Sequence, residues 1–76
     1  MEHKLMTRLE ILQEELVKTN NRITSLKITE QYMSRKAIKN ELSGQSKAEL
    51  ASIQTNIKIN EEFLTFLEEQ INEEKK

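Results

Sequence analysis

Apolar residues recur along the first half of the chain at alternating steps of four and three: Leu5, Leu9, Leu12, Leu16, Ile23, Leu26, Met33 and Ala37. Thr19 and Glu30 fill the two polar places in the series. That stepping is the signature of a helix laid against another helix along one seam. It predicts a first helix over about residues 3–42. The phase runs from Leu16 through Thr19 to Ile23 without a jump. Thr19-Asn20-Asn21, whose short polar side chains compete for backbone hydrogen bonds, is therefore read as part of one unbroken helix, the alternative being a three-helix arrangement that breaks there. A second series, Leu50, Ile53, Ile57, Asn60, Leu64, Leu67 and Ile71, repeats the pattern and predicts a second helix over about 47–73.

The chain has one glycine and no proline. Gly44 follows the first series, where a glycine takes a left-handed conformation at little cost and ends a helix. Ser46-Lys47-Ala48-Glu49 then has the S-x-x-E spacing of a capping box that opens one. A stop and a start this close predict a tight reversal at 43–46 between antiparallel neighbours. The alternative, a continuous helix through Gly44, costs only about 1 kcal/mol. The expected fold is all-α: a coiled-coil-like, two-helix antiparallel hairpin forming a single domain.

Folded about that turn, Leu42 pairs with roughly Ser46 and Glu14 with roughly Glu74. Residues 1–13 are then left as an overhang of about 20 Å, with Leu5, Leu9 and Leu12 on one stripe. Both helices also carry apolar residues off the seam. At 100° per residue, Ala48, Ile59, Phe63 and Phe66 fall roughly opposite the seam of the second helix, and Ile28, Tyr32, Ile38 and Leu42 do so on the first. Helices apolar on two sides require neighbours on both, so the expectation is homo-oligomerisation into a helical bundle, with Leu5, Leu9, Leu12, Ile59, Phe63 and Phe66 as its interface or partner-binding residues. Asn60 is a polar residue within a seam, which specifies register at some loss of stability.

With 76 residues, the chain is short enough that a single core is marginal without staples, metal or association. It holds no cysteine and one histidine, His3, so neither disulfides nor a histidine-rich metal site is on offer. The apolar share of 36% beside 33% charged residues suits long amphipathic helices. The sequence shows no apolar run long enough to span a membrane and no signal-peptide core, and the expectation is a cytoplasmic protein with no membrane partner.

Net charge near zero conceals a division. Residues 1–17 hold two basic and four acidic groups, residues 18–58 eight and three, and residues 59–76 two and six. A hairpin therefore has a basic turn end and an acidic open end, and antiparallel association of two copies sets acid against base. Within the basic half, Tyr32, Arg35, Lys36 and Lys39 share a face with Ile28. A tyrosine among cations is able to stack on a base while the cations take phosphates, or to pack across an oligomer interface under their aliphatic stems. Catalysis is not indicated: Glu14-Glu15, Glu61-Glu62 and Glu68-Glu69 are sequence neighbours that diverge on a helix, and the single histidine, His3, sits in the terminal fringe and serves no nucleophile as a base. No cofactor is expected. The functional expectation is a small non-catalytic protein-interaction module, an adaptor or small inhibitor or regulator. The alternatives are a nucleic-acid or nucleotide binder using the Tyr32 face, and a structural assembly piece without a separate ligand.

Overall fold

The computed structural model describes residues 5–76, and these form two helices packed against each other, α1 over Arg8–Ile38 and α2 over Gly44–Glu74. Helix α1 runs unbroken through Thr19-Asn20-Asn21. Its first turn is fixed by Thr7, whose hydroxyl accepts from the Glu10 backbone N–H at 3.1 Å while the Glu10 carboxylate accepts from the Thr7 N–H, also at 3.1 Å. This reciprocal box satisfies two backbone donors that the helix itself leaves unpaired. Its T-x-x-E spacing, Thr7 to Glu10, is the sequence signal for where α1 begins. His3 and the expected start of α1 at about residue 3 lie outside the described residues.

The turn departs from expectation. α1 stops at Ile38, not Leu42, because Asn40 takes the left-handed conformation with φ 58°. The Asn40 N–H donates to Ala37 O at 3.0 Å and the Glu41 N–H to Lys36 O at 2.9 Å, the pair of bonds that closes a Schellman motif. Asparagine is the residue after glycine that tolerates this position. Gly44 does not have a positive φ; it is the first residue of α2. Nor is Ser46 the cap. Ser43 precedes α2 in extended conformation and accepts from the Ser46 N–H at 3.1 Å, and its hydroxyl also donates to Ser46 Oγ. Ser46 is already inside α2, so the expected box between Ser46 and Glu49 does not form, and the residue three beyond the actual cap is a serine that has no carboxylate to reach back.

Moving the reversal from residues 43–46 to about 40 shifts the register of the whole hairpin. Arg8 reaches Gln70 and Glu74, and Arg22 reaches Asn60. Glu14 consequently lies opposite about residue 68 rather than Glu74. The two helices are of equal length, 31 residues each, and the expected overhang is absent among the described residues.

Both predicted seams hold. Every buried residue among those described, Leu12, Thr19, Ile23 and Met33 on α1 and Ile57, Leu67 and Ile71 on α2, belongs to one of the two series. The tightest cluster is Leu12 with Leu67 and Ile71, flanked by Leu9 and Leu16. Leu67 is only 2% exposed. Thr19 is fully buried and its hydroxyl has no hydrogen-bond partner, so a polar group is desolvated mid-seam without compensation.

Candidate interaction surfaces

The residues expected to form the N-terminal part of an interface divide. Leu12 is buried against Leu67 and Ile71 within the chain, and Leu9 is half-buried beside it. They are core residues, a correction that follows directly from the register: α2 reaches back far enough to cover them. Leu5, which precedes α1, is 89% exposed.

Ile59, Phe63 and Phe66 behave differently. Their positions on α2 turn them away from the seam, and all three are exposed, Phe63 at 40% and Phe66 at 49%. The two phenyl rings lie nearly parallel with centroids 6.3 Å apart, within the range of offset aromatic pairs. The pair forms one aromatic patch that remains substantially exposed. Around them, Ala48 and Ser52 toward the turn and Gln70 beyond fall within about 60° of Ile59 at 100° per residue, and Glu62 and Glu73 share the same arc. Thr55, on the margin of this stripe, donates its hydroxyl proton to Ala51 O at 3.1 Å, so its side chain asks for no outside partner.

Asn60 stands at the edge of the seam, half-buried. Its Oδ1 accepts from Arg22 Nη1 at 3.0 Å and its Nδ2 donates to Asn56 O at 2.7 Å. The side-chain amide is therefore held from both ends, one of them on the opposite helix. Arg8 makes the corresponding tie nearer the helix ends, donating from Nη2 to Gln70 Oε1 at 3.0 Å with its Nε 3.7 Å from Glu74. Lys27 and Glu61 pair at 3.4 Å on the other flank. The partners of Arg8 and Arg22 follow from a reversal near Asn40, and a reversal at 43–46 does not bring them together.

The basic face of α1 splits into two. Lys36 Nζ sits 4.9 Å from the centroid of the Tyr32 ring, a cation–π contact within one helix turn. Hydrogen bonding to Tyr32 is the main cause that holds the Lys36 ammonium above its ordinary pKa, followed by the charge of the same side chain. Arg35 and Lys39 turn to the other flank, where with Glu30, Gln31, Ser34 and Ile38 they line a shallow, open depression. The tyrosine is accordingly already covered on one side by a cation of its own chain, and the depression lined by Arg35 and Lys39 carries the Glu30 carboxylate as well. Ile28 and Tyr32 remain largely exposed, as do Ile11 and Val17, which off-seam counting on the wheel would have found.

Among the described residues no group of three or more His, Cys, Asp or Glu side chains is placed to hold a metal ion, and no described helix is long and apolar enough to cross a membrane. No family model matches the chain, and no curated protein or solved structure matches it.

Proposed function

We propose that this chain is a small non-catalytic, homo-oligomeric interaction module that serves as an adaptor or small inhibitor of a partner protein, and that it self-associates through the outer face of α2, the partner engaging the assembled form. The observation that carries the reading is the exposure of Ile59, Phe63 and Phe66 together on one face of a helix whose other apolar side is already buried. Aromatic side chains of this kind dominate association energies. Taking them out of water at about 25 cal/mol per Å² supplies several kcal/mol, comparable with the entire stability of a small domain.

The nucleic-acid or nucleotide reading draws less support. A base stacking on Tyr32 competes with Lys36 for one ring face, and a phosphate seated between Arg35 and Lys39 meets Glu30. A cytoplasmic setting belongs to the same proposal, on the ground of the cysteine-free composition, and cell fractionation checks it.

The test is the molar mass in solution across a wide concentration range, for the parent protein and for Phe63→Glu, followed by copurification of both from their native cell. The reading expects a mass above that of one chain, reduced by Phe63→Glu, and loss of the copurifying partner. A parent protein that stays monomeric at millimolar concentration, or a Phe63→Glu variant with unchanged mass and partner, ends it. Arg35→Glu separates the rival: it abolishes binding only for a phosphate binder, whose affinity also falls steeply with salt.

A further inference from the structure

We infer that the occupant of the α2 stripe is a second copy of this chain, laid antiparallel across it with Ile59 at the two-fold axis. The inference rests on the self-association proposed above and adds to it a face, an orientation and a register.

Three observations carry it. The first is the distribution of side-chain size along the stripe. Toward the turn it offers Ala48 and Ser52, and toward the end of α2 it offers Phe63 and Phe66. An antiparallel partner centred on Ile59 brings Phe66 of each copy over Ser52 of the other, Phe63 over Thr55 and Gln70 over Ala48. Large residues then meet small ones, as helix packing demands. In a parallel pair, by contrast, the phenyl rings of the two copies confront each other and the small residues face a gap.

The second observation is charge. Lys47 and Lys58 on the turn side, and Glu62 and Glu69 on the far side, lie along one flank of the stripe at 100° per residue. None of the four is in an ion pair among the described residues. The antiparallel register sets Lys58 of each copy beside Glu62 of the other and Lys47 near Glu69, four complementary contacts across the dimer. In a parallel two-fold pair this flank falls on opposite sides of the interface in the two copies, and none of the four contacts forms.

The third is polar satisfaction. The Thr55 hydroxyl and Gln70 Oε1 on the stripe already have hydrogen-bond partners within the hairpin. Covering them leaves few polar groups wanting, the condition under which burial is favourable. A two-fold contact of this kind is isologous and closes at two copies, leaving the outer face of α1 with Ile28 and Tyr32 on the far side of each hairpin for a different partner.

Cysteine cross-linking tests this, since the chain has no cysteine of its own. Copies carrying Ala48→Cys are mixed with copies carrying Gln70→Cys under oxidation, after circular dichroism has shown both to be as helical as the parent. The inference expects a disulfide joining unlike copies and none joining like copies. In the antiparallel register two Ala48 positions lie about 33 Å apart at 1.5 Å per residue, whereas a disulfide requires β-carbons about 4 Å apart. Disulfides between like copies only, or none at all in a protein whose mass is that of a dimer, overturn the orientation or the face while leaving self-association intact. A parent protein that is monomeric by mass defeats the underlying reading instead. A second arm uses charge: Lys58→Glu and Glu62→Lys, each alone, weaken self-association at least several-fold, and an equimolar mixture of the two restores it. Unchanged mass for both single variants removes the charge contacts from the proposal and so overturns the register.

Discussion

At the end of the hairpin remote from the turn, Leu12, Leu67 and Ile71 close into the tightest cluster of the molecule, and Arg8 ties the helices together through Gln70 and Glu74. At the turn end the same seam is loose: Ala37 is exposed, and Leu50 and Ile53 are only half-buried. The turn itself is held by local backbone bonds around Asn40 and Ser43. The two helices are thus joined covalently at one end and packed chiefly at the other. A reversal fixed by local hydrogen bonds chooses the register, and burial far away in sequence supplies the stability.

The largest effect separating the two ends comes from truncating their leucines. Leu67→Ala is expected to cost about 3 kcal/mol, in the range for a fully buried leucine, while Leu50→Ala costs about 1 kcal/mol or less, since half its side chain is already in water. Denaturant titration of the two variants measures the difference, and equal losses contradict the contrast. Thr19 lies between the ends, and Thr19→Val is expected to raise stability by about 1 kcal/mol, because it replaces a desolvated, unpartnered hydroxyl with a methyl of similar size. A loss of stability there reveals a partner for the hydroxyl.

Substitutions in the turn then decide which residue reverses the chain. Asn40→Ala is expected to cost about 1 kcal/mol by placing a β-carbon residue without a compensating side chain in the left-handed region. Gly44→Ala is expected to gain about 0.5 kcal/mol: the added methyl meets nothing within 4 Å, and the unfolded chain loses freedom. Thermal melts with the opposite signs reinstate Gly44 as the turning residue. The smallest effect belongs to Lys27→Ala, which removes the half-exposed pair with Glu61 and costs about 0.5 kcal/mol or less. A larger loss shows that the middle of the seam leans on charge.

Much of this architecture was legible in the sequence, and the part that was not has a local cause. The three-four stepping identified both helices and all of the buried positions, because a seam is a property of many residues and survives the misreading of any one. The register depended on a single reversal. Gly44 carries the stronger general preference for a left-handed conformation, and the competing candidate, Asn40, had no pattern to announce it. An error of about four residues in the turn became an error of about six in which residues face each other. Leu12 changed from a free apolar residue to the centre of the core, and the pairs Arg8–Glu74 and Arg22–Asn60 were hidden. The exposure of Ile59, Phe63 and Phe66 was legible because it needed only the phase of α2.

The equal length of the two helices has a mechanical corollary. Residues 8 and 74 sit side by side, so a force pulling them apart peels the hairpin open like a zip instead of sliding one rod along the other. The load falls first on the best-interlocked turns, and the turns behind them grip less well. Under such a force the molecule gives way in one abrupt step, its resistance concentrated in the first few ångströms of travel.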